Sequence, residues 1–127
     1  MKLKPGVKLI KKREGDGNPV VRQRYYVLKI RIVLNQGEIV KQPDRCLSHV
    51  MDDNLQVHAD GYFEHRIKFS RDALVAGIFY ALEGMRVGGY RQVDIAPHLA
   101  YKERGIPGVI PENAKLTVEI HVLREAE

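Results

Sequence analysis

The sequence has a single cysteine and no long apolar run, which exclude an internal disulfide and a membrane-spanning helix, respectively. Cys46 is the only cysteine among the 127 residues, so no disulfide can form within the chain. No apolar stretch approaches the roughly 20 residues that a helix needs to cross a bilayer, and residues 1–6 are not followed by the apolar segment of a secretion signal. We therefore expect a cytoplasmic protein that does not cross a membrane.

The usual signatures of hydrolases and kinases are also missing. The sequence contains no nucleophile elbow, no phosphate-binding loop and no pair of carboxylates at a catalytic spacing. Cys46, His49, His58 and His65 are close in sequence, but their spacings match no metal motif. We expect scattered surface histidines, no bound metal and no cofactor.

Positive charge is abundant by comparison. The net charge is +5, and the N-terminus is the most basic segment. Its basic residues are Lys2, Lys4, Lys8, Lys11, Lys12 and Arg13. Such residues gain affinity for nucleic acid by releasing the counterions that condense on phosphates. No aromatic residues are interleaved among them for base stacking, however, so we expect a solvated basic face. Nucleic acid is not expected as the main partner.

Length and composition predict one globular domain over residues 1–127, since 44% of the residues are hydrophobic and 29% are charged. Alternation of apolar and polar residues predicts strands at 7–12, 26–34, 62–69, 91–95 and from 116 toward the end. Residues 42–61 are polar with scattered apolar positions, and we interpret them as an enlarged connection.

One helix signal follows residue 70. Ser70 can accept a hydrogen bond from a first-turn N–H, and Asp72 complements the positive end of the helix dipole, so we predict that the helix begins there. Gly84 supplies a stop. An apolar face recurs at helical spacing in Leu74, Val75, Ile78, Phe79, Leu82 and Met85. Strands, one helix and further strands predict an α+β fold in which an antiparallel sheet packs on a single helix.

The residues from 84 to 111 form a continuous series of motifs. They read G-M-R-V-G-G at 84–89, I-A-P-H-L-A-Y at 95–101 and G-I-P-G-V-I-P at 105–111. The series resembles the FKBP family of peptidyl-prolyl cis/trans isomerases, whose corresponding segments run G-M-x-V-G, I-P-P-x-L-A-Y and G-x-P-G-x-I-P. The resemblance implies an FKBP-like fold, with a bent antiparallel sheet wrapped around one short helix. It also implies isomerisation of X-Pro bonds as the activity.

The resemblance further implies a peptide pocket. Tyr101 matches the tyrosine whose hydroxyl donates to a bound carbonyl, and Val75 matches the residue whose backbone N–H binds the substrate. Ile78 falls at the pocket floor, where the family usually has tryptophan. We predict these three as catalytic residues. The predicted substrate-binding residues are Ile30, Val40, Leu74, Ile110 and Val118. A structural role within its own loop stays open for Tyr101, and a plain core role stays open for the apolar residues.

Several aromatic walls of the family's pocket are aliphatic in this chain. The tyrosine of the central strand falls at Ile30, one phenylalanine falls at Val40 and another at Val118. Lys41 stands where the family has a carboxylate. Aliphatic walls keep a pocket dry, but they lose the ring stacking that grips a proline.

Prolyl isomerisation needs no nucleophile, general base or metal, which agrees with what the sequence lacks. The barrier of about 18–20 kcal/mol arises from amide resonance, and an apolar pocket favours the twisted amide over the dipolar planar one. We expect an isomerase that acts on proline-containing peptides or unfolded protein segments. A non-catalytic FKBP-like peptide-binding or chaperone module is the alternative. Neither function implies an obligatory oligomer.

Overall fold

The structure is a computed structural model that describes residues 5–34, 58, 60–71, 74, 76–99 and 115–126. An antiparallel sheet forms most of the described part. A 3₁₀ turn, Pro97–Leu99, follows the fourth strand. The elements in chain order are β1 (Val7–Arg13), β2 (Tyr25–Leu34), β3 (Phe63–Lys68), α1 (Ala76–Leu82), β4 (Tyr90–Ile95) and β5 (Leu116–Ala126). The predicted α+β arrangement is confirmed, and all five predicted strands are present.

The strands lie in the order β1-β4-β5-β2-β3, and every neighbouring pair is antiparallel. The long strands β2 and β5 form the middle of the sheet, with Ile30 opposite Ile120 and Ile32 opposite Val118. Because β4 and β5 pair over Val93 and Val118, the same row of apolar side chains continues across three strands. The predicted enlarged connection at 42–61 lies outside the described residues, except for residues 58, 60 and 61.

One face of the sheet carries the core, and we call it the inner face. Its residues alternate with more exposed neighbours along β2, β4 and β5, as strand geometry requires. The helix α1 adds Ile78, Phe79 and Leu82 to the same cluster of buried residues. Fully buried inner-face residues of the sheet include Leu28, Ile30, Ile32, Phe63, Val93, Ile95, Leu116, Val118 and Ile120.

The helix begins later than the sequence predicts. Its first residue is Ala76, whereas the capping signal at Ser70 and Asp72 predicts a start six residues earlier. Ser70 is buried, and its carbonyl accepts a bond from the Leu74 N–H at 3.0 Å. The Leu74 carbonyl in turn accepts a bond from the Arg71 guanidinium at 2.7 Å. The bond from the Leu74 N–H to the Ser70 carbonyl has the i→i−4 spacing of helical bonding, although the helix itself begins only at Ala76.

The end of the helix agrees with the prediction. Gly84 has a φ of +82°, a left-handed conformation that glycine adopts without steric cost, and the Met85 N–H bonds to the Leu82 carbonyl at 3.0 Å. In the described part of the chain, no helix has the length and apolarity that crossing a bilayer requires.

Candidate functional site

The eight predicted site residues divide into two groups. Tyr101, Val75, Val40 and Ile110 lie outside the described residues, so their predicted roles stay predictions. The structure describes the other four, which are Ile30, Leu74, Ile78 and Val118.

These four residues belong to one cluster of buried apolar side chains. Ile30, Leu74 and Val118 are 0% exposed and Ile78 is 1% exposed. They come from separate parts of the chain, since Ile30 lies on β2, Val118 on β5 and Ile78 on α1. The structure therefore brings together residues that are up to 88 positions apart in the sequence.

Strand register explains how the sheet contributes to this cluster. Ile30 pairs with Ile120 and Ile32 pairs with Val118, so Ile30 and Val118 lie diagonally across β2 and β5 on the inner face. Ile78 is in the first turn of α1, and Leu74 lies two residues before the helix. Ahead of α1, the Leu74 N–H donates to the Ser70 carbonyl and the Arg71 guanidinium donates to the Leu74 carbonyl. The four residues thus present an apolar, water-excluding environment between sheet and helix.

Among the described residues, Arg91 is the one charged side chain in the core, and the sequence analysis did not single it out. It is 2% exposed. Its Nη1 donates to the carbonyls of Ala81 and Glu83, at 2.9 and 2.7 Å. Those carbonyls lie at the C-terminal end of α1, where helical hydrogen bonding leaves acceptors free and a cation complements the dipole. Desolvation lowers the pKa of Arg91, with Glu14 acting in the opposite direction. Arg91 therefore fastens the end of α1 to β4.

A signal for Arg91 was available in the sequence. The alternation along β4 assigns Arg91 to the same face as Val93 and Ile95, which are buried. An arginine at an inner-face position needs partners that satisfy its donors. The partners lie 8 and 10 residues earlier in the chain and become neighbours only when the helix packs on the sheet.

The described part of the site offers a dry environment and no reactive group. A separate apolar crevice beside Leu82, which none of the four residues lines, is too narrow for a water molecule. Its other lining residues are Val20, Tyr26, Leu28, Ile67 and Phe69. Among the described residues, no three His, Cys, Asp or Glu side chains are grouped to hold a metal ion. The burial of these four side chains excludes water, as a plain core role and the predicted pocket role both require.

Comparison of the sequence with known proteins identifies the family to which the chain is related. A family model described as FKBP-type peptidyl-prolyl cis-trans isomerase matches residues 28–123. FK506-binding protein 1A of Neurospora crassa is 32% identical over 85 residues, which cover 56% of this chain and 71% of that protein. FK506-binding protein 4 of Aspergillus fumigatus is 39% identical over 56 residues, which cover 44% of this chain and 11% of that protein. A chloroplastic peptidyl-prolyl cis-trans isomerase of Arabidopsis thaliana is 42% identical over 53 residues, which cover 42% of this chain and 23% of that protein.

The matches differ in how much of each relative they include. The chain spans only about a tenth of the Aspergillus protein but most of the Neurospora one. The range matched by the family model includes all four described site residues and the motifs at 84–111. The antiparallel sheet, the helix α1 and the family match agree, and the chain belongs to the FKBP-type peptidyl-prolyl cis-trans isomerase family.

Proposed function

We propose that the protein catalyses cis/trans isomerisation of X-Pro bonds in unfolded or flexible protein segments. The observation that carries the proposal is the family match over residues 28–123, which includes every predicted site residue. The buried apolar cluster of Ile30, Leu74, Ile78 and Val118 supports it, because this chemistry needs desolvation more than it needs reactive groups.

The proposed mechanism uses differential binding of the twisted amide. The planar X-Pro amide is dipolar and loses hydration on entering an apolar pocket, whereas the twisted amide has lost resonance and is less penalised. Ile78 would form the floor beneath the prolyl ring. The Val75 N–H and the Tyr101 hydroxyl would donate to carbonyls of the peptide and hold the bond where rotation occurs. No proton transfer or covalent intermediate is required.

The aliphatic pocket has a consequence for the substrate. Ile30, Val40 and Val118 replace aromatic walls, so a prolyl ring gains contact area without ring stacking. We propose weaker substrate binding than an aromatic pocket would give. Selectivity for the residue before proline would then depend on apolar contacts, which discriminate modestly.

The proposal also covers the domain organisation, the cellular compartment and the kind of substrate. We propose that residues 1–127 act as one domain in the cytoplasm, on proline-containing segments of unfolded proteins. A role in protein folding follows directly from that activity, since uncatalysed isomerisation takes tens to hundreds of seconds at 25 °C, roughly the time of slow folding phases. A chaperone module that binds such segments without catalysis is the competing function.

NMR exchange spectroscopy on a short X-Pro peptide tests the proposal. The protein should accelerate cis/trans interconversion in proportion to its concentration. Val75→Glu places a charge where the pocket is proposed and should abolish the acceleration. Val21→Glu is the matched control, because Val21 is 46% exposed and lies outside the predicted site.

Each outcome separates the two functions. Acceleration that Val75→Glu removes and Val21→Glu retains supports the isomerase. Peptide resonances that shift without a change in exchange rate would support the binding module instead. Loss of folding in Val75→Glu is checked by circular dichroism, and Tyr101→Phe then replaces it as the test, with a reduced rate expected because one donor to the peptide is lost.

A further inference from the structure

The outer face of the sheet, which is the side opposite the buried cluster, carries an excess of positive charge. Strand alternation and register assign eight basic and three acidic strand residues to it. The basic residues are Lys8, Lys11, Arg13, Lys29, Arg31, Arg66, Lys68 and Arg124, and the acidic ones are Glu64, Asp94 and Glu119. The face therefore has a clear excess of positive charge.

Two of the three acidic residues are already engaged within the face. Glu119 accepts from the Tyr90 hydroxyl at 3.0 Å and from the Arg31 guanidinium. Asp94 accepts from the Thr117 hydroxyl at 2.8 Å. Among the described residues, no acidic side chain forms an ion pair with Lys8, Lys11, Arg13 or Lys29. These four cations remain available for an anionic partner.

Aromatic rings lie among these cations. His121 stands between two tyrosines, with ring centroids 4.7 Å from Tyr90 and 5.6 Å from Tyr62. The Lys29 ammonium is 4.8 Å from the centre of the Tyr62 ring, and the Arg31 guanidinium is 4.6 Å from it. Tyr90, His121 and Tyr62, which we call the ring row, are all half-buried and so keep some accessible surface.

The ring row is held in place before any ligand arrives. The bond from Tyr90 to Glu119 and the bond from Arg31 to the same carboxylate tie β4, β5 and β2 together on this face. Burial lowers the pKa of His121, and the nearby charges of Lys29 and Arg13 lower it further. Rings fixed in this way lose little conformational freedom when a ligand stacks on them.

We propose that the outer face of the sheet binds single-stranded nucleic acid. Bases stack on the ring row, and phosphates meet Lys11, Arg13 and Lys29. Cations that track a backbone beside aromatic platforms are the general means of binding single strands, and an open sheet face with half-buried rings is a suitable platform. An acidic peptide would use the cations but not the rings, and a duplex would not present its bases to a flat face.

The sequence did not indicate this surface. The basic N-terminal residues have no aromatic neighbours in sequence, but β1 pairs with β4 and brings Arg13 opposite Tyr90. His121 is then opposite Tyr90 on the next strand, and Lys29 is opposite His121 on the one after. The surface lies on the other side of the sheet from the apolar cluster, so the proposal does not depend on isomerase activity.

Fluorescence anisotropy with labelled 12-nucleotide single strands, oligo-U and oligo-dT, tests the proposal on the full chain. Binding should be measurable at 50 mM salt and weaken steeply by 200 mM, because counterion release supplies much of the affinity. The double variant Lys11→Gln/Arg13→Gln should weaken binding and reduce the salt dependence by up to about two charges. The control is Arg22→Gln/Arg24→Gln, which removes the same charge from residues outside the outer face, and it should retain the wild-type salt dependence.

The ring row is tested separately. Tyr62→Leu keeps an apolar side chain, removes the ring, and should weaken binding roughly tenfold if one base stacks there. His121→Leu should have an effect of the same kind, and it serves if Tyr62→Leu fails to fold. Isomerase activity of the charge variants should equal that of the wild type.

Four results would overturn the proposal. They are no binding of single strands at 50 mM salt, tighter binding of a duplex of the same length, equal weakening by the control pair, and ring variants that bind like the wild type. Effective competition by a poly-glutamate peptide together with the last result would identify the face as a general site for acidic proteins.

Discussion

Replacement of Arg91 by methionine tests whether a buried cation fastens the helix to the sheet. Methionine fills a similar length without donors, so Arg91→Met leaves the carbonyls of Ala81 and Glu83 without the partner that they have in the folded protein. Hydrogen bonds to a charged donor contribute about 1.5–3 kcal/mol each, and removing the buried charge recovers part of its desolvation cost. We expect a net loss of about 2–4 kcal/mol in the free energy of unfolding.

Urea denaturation followed by circular dichroism measures this loss by linear extrapolation. Arg24→Met is the matched control, because Arg24 pairs with Glu125 at 3.0 Å while its side chain is 59% exposed. An exposed pair of this kind contributes about 1 kcal/mol at most. Arg91→Lys should fall between wild type and Arg91→Met, since an ammonium lacks the fixed fork that serves two acceptors.

A particular result would refute the reasoning. If Arg91→Met were as stable as Arg24→Met, or more stable than wild type, the desolvation of Arg91 would outweigh its two bonds. Arg91 would then be a cost that the fold tolerates, as some buried ion pairs are.

The remaining predictions concern the site and the titratable groups. Ile78→Ala and Ile67→Ala should each lose about 2–5 kcal/mol of stability, since both side chains are buried. Only Ile78→Ala should also lower kcat/KM in the peptide exchange assay. Equal kcat/KM values for the two variants would contradict the assignment of Ile78 to the pocket floor. Burial and the bond to Glu119 raise the pKa of Tyr90 to about 12 from its usual 10. Because the unfolded state loses this proton first, the free energy of unfolding should fall as pH rises above 10. The fall should be less steep in Tyr90→Phe, and identical slopes of the two proteins in urea titrations would contradict the raised pKa. Burial and the charges of Lys29 and Arg13 lower the pKa of His121 below 6.5. Because the unfolded state protonates this imidazole first as pH drops through 6.5, the free energy of unfolding should fall. The fall should be smaller in His121→Phe, and urea titrations at pH 5 and 7 measure it. Gly15→Ala should destabilise by roughly 1–3 kcal/mol, because the added Cβ would lie 2.3 Å from the Val87 carbonyl oxygen; an unchanged melting temperature would show that the turn yields.

The sequence predicts the sheet well because strand periodicity is local. Alternation along β2 identifies Tyr26, Leu28, Ile30 and Ile32 as inner-face residues, and all four are buried. The register that joins them to β5 is set by the same alternation, since a shift of one residue would expose the apolar face.

The helix start could not be read from local signals alone. Ser70 and Asp72 have the chemistry of a helix cap, but the Arg71 guanidinium bonds to the Leu74 carbonyl and Ser70 is buried. A capping preference of about 1 kcal/mol is small beside tertiary contacts, so it does not by itself fix the first residue of a helix. The helix begins at Ala76.

The site and the outer face depend on contacts between distant parts of the chain. The motifs after residue 84 indicated the family, and the apolar identity of Ile78 and Leu74 indicated burial. The role of Arg91 and the row of Tyr90, His121 and Tyr62 depend on strand order, which pairs β4 with β5 and β5 with β2. No local pattern in the sequence contains that order.

Catalysed refolding of a protein whose slow phase is limited by an X-Pro bond tests the central claim most directly. The uncatalysed phase takes roughly 10–100 s at 25 °C. We expect the rate constant of this phase to rise in proportion to added protein, and we expect Tyr101→Phe and Val75→Glu to lower this gain while Val21→Glu does not. An unchanged slow phase at every concentration, with the unfolded protein nonetheless bound, would contradict the isomerase and identify a binding module.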